Sequence, residues 1–502
     1  MTTYYYDAVV IGMELGPLTA GALLAKRGFR VLVIGQNAPT DRYPCLGYQF
    51  SRRPFLLTAA DSPVLKRIIK ELGIGQLFQH ATFVPDTAWQ AVLPTARVDI
   101  SRDLKRVIRE MRREIPQTAD NIDDAFDALG RINGEIQKLF DQDFVLPPET
   151  FFEKREFSRV EVQNPFRLPF FLQSAKRAGD LPDLLMLPAW WELGHRQQRH
   201  PLIHYRQLGS WLFDCVAFYK GRDGFRKLLI DQISGQGGDI HPRRQATDIS
   251  VKRGKVAGIR LAGHDEMTGC QMILTHLAPD ELAPLIAPGN WTKRFRQLTE
   301  TPLPKAVGYA VNLGVRKDVV PEGMAGTVFC VSGNGADTSI IRIERIPQED
   351  ETRAAFNVSC TLPPEEADRI QTGAIRDTLL DRMRELVPFL DRYLEVIHSP
   401  FDGFGPIDLT GGSVTGEAPT IPHAEEVPKW IVRRPPDDAL LGIAALPHRT
   451  GIKGLLLAGE QATTGLCTEG ELIAAWGASR IACKMDPRRE RLVKSLKSKV
   501  EM

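Results

Sequence analysis

The chain has 502 residues, 43% of them hydrophobic, 25% charged and 8% aromatic, with 64 Lys+Arg against 62 Asp+Glu for a formal net charge of +2. That balance excludes the global basic footprint of a nucleic-acid protein, and the length accommodates about two to four domains of ~100–200 residues. Seven scattered cysteines (Cys45, Cys215, Cys270, Cys330, Cys360, Cys467, Cys483) form no C-x-x-C pair, and no apolar run reaches the ~18 residues of a membrane span. The expectation is a soluble, cytoplasmic protein without a metal site or a disulfide framework.

Residues 7–11, Asp-Ala-Val-Val-Ile, are a short β-branched run that ends at Gly12. An Ala-rich helix is expected over 18–27, stopped by Gly28, with a second buried strand over 30–34. Strand, glycine turn, helix and strand within thirty residues make the βαβ unit of a dinucleotide-binding fold. Its G-x-G-x-x-G frame falls on Gly12-Met13-Glu14-Leu15-Gly16-Pro17, so Glu14 replaces the second glycine, Pro17 the third, and Gly16 stands off-frame. The second glycine lets a pyrophosphate touch backbone at the positive end of the helix. A carboxylate there opposes it: two unit charges ~5 Å apart at an effective dielectric of ~20 repel by about 3 kcal/mol. Pro17 is tolerable in a first helical turn. At the end of the second strand, Gly35-Gln36 stands where an acid normally holds the ribose, leaving Gln36 as a neutral hydrogen-bonding substitute. Arg52 and Arg53 follow, and tertiary structure decides whether they fold back onto Glu14 or a phosphate.

Residues 101–142 carry apolar positions at three- and four-residue spacings and read as two amphipathic helices broken at Pro116. They form a packed lid or a partner-binding face. Between 151 and 218 aromatic residues accumulate, among them Phe151, Phe152, Phe166, Phe170, Phe171, Trp190, Trp191 and Trp211, with Arg196, Arg199, His200 and Arg206 nearby. Ordinary core, a hydrophobic substrate tunnel and a membrane-facing surface all suit that density. Residues 308–314 and 328–346 read as strands and 363–395 as helices. Asp408 and Thr410 lie in a turn-rich stretch that explains them without a ligand. The tail 486–502 is basic and amphipathic, either solvated or able to dock on anionic lipid.

Near the C-terminus, 454–460 (Gly-Leu-Leu-Leu-Ala-Gly-Glu) reads as a buried strand ending in Ala-Gly-acid, followed by a helix over 472–483. Thr468 and Glu471 have the spacing of a capping box, which brings Gly470 into the first turn. Residues 219–235 and 237–259 add a glycine-led helix, a Gly-Gly-x-Ile strand and a meander, and 272–279 a strand closed by Pro279.

With these blocks the chain resembles the flavoprotein superfamily of phytoene desaturases, retinol-saturase-like enzymes, protoporphyrinogen and amine oxidases, and Rab GDP-dissociation inhibitors. Residues 455–460 and 469–477 are similar to the desaturase motifs L-x-x-A-G-D and E-G-A-x-x-S-G. The resemblance covers 5–90, 215–285 and 440–485. It implies an α/β fold: a discontinuous Rossmann-like FAD-binding domain (1–94, 215–285 and 440–485) and a mixed α+β substrate domain (286–439) with a helical insertion (95–214), before the tail 486–502. It further implies FAD contacts at Gly12, Met13, Glu14, Gly16, Pro17, Gln36, Ala246, Gly459, Glu460 and Gly470, with Ala246 lying against the adenine through its backbone and Glu460 on the ribityl chain or pyrophosphate. The expected function is a FAD-dependent oxidoreductase, a desaturase, dehydrogenase or saturase, acting on a hydrophobic isoprenoid or polyene. The alternative is a cofactor-poor scaffold like the Rab inhibitors. No nucleophile, catalytic residue or metal ligand set is legible, as expected where a cofactor carries the electron chemistry.

Overall fold

The computed structural model describes residues 5–116, 122–163, 181–194, 201–332, 339–364, 372–412, 416–419 and 429–486. Phe166, Phe170, Phe171, Arg196, Arg199, His200 and the tail 487–502 lie outside them.

The β-branched runs near the N-terminus form the centre of a seven-stranded sheet. Strand Tyr5–Ile11 runs parallel to Val31–Ile34 on one side and Met267–Thr275 on the other. Asp239–His241 extends the sheet in parallel beyond Val31–Ile34, and Leu455–Leu457 pairs in parallel with Met267–Thr275. The antiparallel strands Ala246–Lys252 and Lys255–Leu261 complete it. Ala8 to Ile11 are fully buried, as a parallel strand covered on both faces requires.

The first helix spans Leu15–Lys26, three residues earlier than its apolar pattern suggests, because Gly16 and Pro17 both fit a first turn. Gly28 follows its end at φ +82°, in the left-handed region that glycine tolerates. The helix lies close to its sheet: a Cβ at Gly21 would stand 2.8 Å from Val10 Cγ2. The closing helix, Cys467–Met485, packs beside the first helix, as does Gly221–Gly235 on another flank. Thr468 is not its cap. The helix is already formed at Cys467, with Leu466 at the cap position and no side-chain cap.

A second, nine-stranded sheet takes strands from 89–100 and from 305–433. Its long strand Lys305–Arg316 pairs antiparallel with Arg353–Leu362, Leu394–His398 and Trp430–Arg433. Within 363–395, helices cover Thr372–Leu386 and Leu390–Tyr393, and the chain then turns into strand at Leu394. Leu104–Glu114 and Ile122–Asp141 form the two helices on either side of Pro116. Of the aromatic stretch, Trp211 stacks edge-on with Trp89 and Phe329 in the core, whereas Phe151 and Phe152 are exposed. Arg206, on helix Pro201–Phe213, is fully buried and forks onto Glu469 of the closing helix at 2.6 and 2.7 Å. Asp408 accepts from the Thr410 and Gly412 backbone N–H groups, an ordinary turn.

Candidate functional site

The cleft opens where the first strand hands over to the first helix. Gly12 sits at φ +105°, and a Cβ there would stand 2.1 Å from His276 Nδ1. Met13 is buried in the core, and Pro17 is buried within the first turn. Glu14 holds the helix N-cap position without capping it. Its carboxylate turns instead to Arg53 Nη2 at 3.0 Å, Arg222 Nη2 at 2.6 Å and Arg226 Nη2 at 3.3 Å. Burial opposes its ionisation, yet Arg53, Arg222, Arg226 and His276 together hold this carboxyl well below the usual range. Arg53 therefore does fold back onto Glu14. Arg52 does not; it lies over the Tyr43 ring at 4.9 Å.

The Gly16 N–H, one of the free donors of a helix N-terminus, donates to Glu471 Oε2 at 3.0 Å. The other Glu471 oxygen accepts from Arg222 Nη2 at 2.7 Å. Glu471 thus serves the first helix, not the cap of its own. Asp41 and Asp223 complete the cluster, 3.6 Å from Arg53 and 3.1 Å from Arg226. Three buried nitrogens here, Arg222 Nε, Arg226 Nε and His276 Nδ1, have no hydrogen-bond partner among the described residues.

At the end of the second strand, Gln36 meets Ala246. Its Oε1 accepts the Ala246 N–H at 2.5 Å, and its Nε2 donates to the Ala246 carbonyl at 3.4 Å. The preceding turn is tight, since a Cβ at Gly35 would stand 2.1 Å from the Pro242 carbonyl oxygen.

Gly459 and Glu460 follow the strand Leu455–Leu457. A Cβ at Gly459 would meet Gln461 at 2.7 Å and His276 at 3.0 Å. Glu460 pairs with Arg433 at 3.0 Å, and Arg433 forks onto Glu281 at 2.7 and 2.8 Å. Burial raises the Glu460 carboxyl, and Arg433 only partly offsets it. Gly470 does not face the cleft. Its N–H donates within the helix to the Leu466 carbonyl at 3.2 Å, and a Cβ would stand 2.3 Å from the Thr463 carbonyl oxygen. The helix starts three residues before it, so its N–H is already used.

From the arginine cluster a cavity of about 250 Å³ runs toward the second sheet, with Trp191, Glu192, Arg342, Trp430 and Cys467 at that end. Cys467 donates its thiol proton to Glu192 Oε2 at 2.6 Å. Burial raises the Glu192 carboxyl despite Arg342 3.8 Å away, and burial together with Glu192 pushes the Cys467 thiol well up. Arg342 itself lies among the Trp191, Trp211 and Phe329 rings at 5.0 to 5.8 Å. Sequence reasoning missed Arg222, Arg226, His276, Glu192 and Glu471 as site residues. Only Glu471 left a signal, by standing at the alanine of the E-G-A motif.

No family model matches the chain. Prolycopene isomerase, chloroplastic, from Daucus carota is 22% identical over 344 residues, which is 63% of this chain and 53% of that protein, so the match spans about half the length of this relative. An oxidoreductase from Methanosarcina mazei is 16% identical with a TM-score of 0.57, covering 95% of this chain and 99% of that one. A redesigned putrescine oxidase is 13% identical with a TM-score of 0.56, covering 97% and 100%. A protein from Pyrococcus furiosus is 14% identical with a TM-score of 0.53, covering 94% and 97%. The fold is the Rossmann-type α/β architecture expected from the sequence, shared with these oxidoreductases.

Proposed function

We propose that this chain is a FAD-dependent oxidoreductase acting on a hydrophobic, isoprenoid- or polyene-like small molecule in the cytoplasm. The carotenoid-acting name of its Daucus carota relative and the fold of its oxidoreductase neighbours support this reading. The observation that carries it is one cavity joining an arginine cluster at a helix N-terminus to an aromatic wall. The donors fit a dinucleotide: a helix N-terminus and three guanidiniums, two of which have a buried Nε without a partner among the described residues. Among the described residues no helix is long and apolar enough to cross a membrane. The nucleotide-binding unit is drawn from 1–88, 215–285 and 440–485, its first segment shorter than the expected 1–94 because the strand Trp89–Val92 joins the second sheet.

In this reading Arg53, Arg222, Arg226 and the Gly16 N–H hold the diphosphate. Ala246 and Gln36 line the ribose and adenine end, and Glu460 faces the ribityl chain. When bound, FAD would supply the two-electron acceptor, taking both electrons as one hydride. Trp191 and Trp430 exclude water from the apolar substrate and orient it. Glu192, kept protonatable by burial, holds or accepts a proton at its Oε atoms at the cavity wall. A cofactor-free scaffold is the second reading, favoured by Glu471 on the Gly16 N–H.

The test is the visible spectrum of purified protein before and after addition of FAD and gel filtration. Retained flavin bands are expected. A colourless protein that also fails to take up added FAD overturns the enzyme.

A further inference from the structure

We infer that the dinucleotide cleft is self-liganded, with the Glu471 carboxylate seated where a diphosphate belongs, so that FAD enters by displacing it. The inference rests on the FAD reading and specifies how that site behaves when empty.

Two oxygens of Glu471 make the contacts a phosphate would make. One accepts from the Gly16 N–H at the N-terminus of the first helix, and the other from Arg222. These are charge-assisted bonds made by a buried carboxylate, 6% exposed, and they tie together groups 455 and 249 residues apart. The charge balance points the same way. Three guanidiniums, Arg53, Arg222 and Arg226, are in ion-pair contact with four carboxylates, Glu14, Glu471, Asp41 and Asp223. The cluster is already negative by one. A diphosphate brings about two further negative charges against this largely buried cluster, so a carboxylate has to leave.

Glu471 is the one that can leave. Glu14 is held by all three arginines, Asp41 is 3% exposed, and Asp223 is fixed by the Asp41 and Arg42 backbone N–H groups. Glu471 has a single guanidinium, which Glu14 also holds, and it lines the open cavity. At the ribose end the donor and acceptor of Gln36 are both engaged by Ala246, so this end too is closed by the chain's own side chain.

The experiment titrates the full chain and its Glu471→Ala and Glu471→Gln variants with FAD by flavin fluorescence, and in parallel records thermal shifts with inorganic pyrophosphate. Glu471→Gln keeps the shape and guards against a folding defect in the alanine variant. Self-ligation predicts FAD affinity at least tenfold higher in both variants, and a pyrophosphate-induced rise in melting temperature that the parent chain lacks. If all three bind FAD equally tightly, the displacement is overturned while the flavoprotein reading stands. If pyrophosphate stabilises the variants alone and none binds FAD, the self-liganded anion seat stands and the FAD reading falls. If neither ligand distinguishes the variants from the parent, self-ligation is overturned.

Discussion

The Arg206–Glu469 pair joins the helical insertion to the closing helix, and its removal has a calculable cost. Both side chains are essentially buried and meet in a bidentate fork at 2.6 and 2.7 Å, while Arg206 Nη1 also donates to Asn133 Oδ1 at 2.6 Å. Charge centres about 4 Å apart at an effective dielectric of ~20 attract by roughly 4 kcal/mol. Truncating one partner strands the other charge, and losses of about 3–5 kcal/mol are usual for buried pairs. Arg206→Met should sit at the upper end, because Glu469 keeps no other side-chain hydrogen-bond partner among the described residues. Glu469→Gln should sit lower, because Asp214 lies 3.6 Å from Arg206 and takes over part of its charge. Replacing both at once, Arg206→Met with Glu469→Gln, should cost about 4 kcal/mol, because the Asn133 oxygen loses its donor, the buried Asp214 loses its neighbouring cation and the amide introduced at position 469 is left buried without a partner. Urea denaturation of the parent, the two single variants and this double variant closes a double-mutant cycle; single losses of about 5 and about 3 kcal/mol against about 4 kcal/mol for the pair give an expected coupling of about 4 kcal/mol. A loss below about 1 kcal/mol for Arg206→Met, or single losses that simply add, would refute the argument.

Further outcomes follow from other buried groups. His398 hydrogen-bonds the Tyr43 hydroxyl at 2.8 Å, and burial together with Arg52 lowers its pKa to about 4. Its folded pKa is depressed, so its contribution of about 3 kcal/mol is present above pH ~6.5 and is lost as pH falls through 4. A His398→Gln variant whose urea-unfolding free energy tracks that of the parent between pH 7 and pH 4 would contradict this. Replacing Glu192 with Gln removes the charge facing the Cys467 thiol, and iodoacetamide labelling of Cys467 at pH 8.5 should accelerate severalfold; an unchanged rate by mass spectrometry rules the contact out. Gly308 pairs with Trp430 across the second sheet, and a Cβ there would stand 2.2 Å from the indole. Gly308→Ala should therefore lose about 1–3 kcal/mol in urea unfolding, and a neutral result would mean the indole moves freely.

The parts of this fold legible in the sequence are those with local patterns. The βαβ unit, the two amphipathic helices around Pro116 and the strand at 455–457 each carry their own periodicity or glycine punctuation. The site was legible only in part. The misplaced charge of Glu14 stands out against the fingerprint, but Arg222 and Arg226 lie 208 and 212 residues away, and no spacing rule links them. Gln36 and Ala246 were each identified singly; their mutual pairing needed the parallel sheet to bring strand ends together. Thr468 and Glu471 satisfy a capping pattern that the backbone does not use, because the helix begins earlier and the Gly16 N–H gives Glu471 a better-placed donor. Gly470 failed for the same reason. Composition alone could not separate core aromatics such as Trp211 from the cavity-lining Trp191, since both sit on apolar helices and differ only in what faces them.

The contact between Gly16 and Glu471 spans 455 residues, and this bears on how the protein is made. At a synthesis rate of ~5–20 residues per second, the first helix waits roughly 20–90 s for the segment that covers it. Closing a loop ten times longer than a ~45-residue one costs about 2 kcal/mol of additional chain entropy. Throughout that interval the first helix, buried from Leu15 to Ala25 in the finished fold, lacks the cover of the closing helix, and a nascent chain in this state is a natural client for a holding chaperone. Ribosome-stalled chains should acquire protease resistance at 5–34 only once residues up to about 485 have emerged.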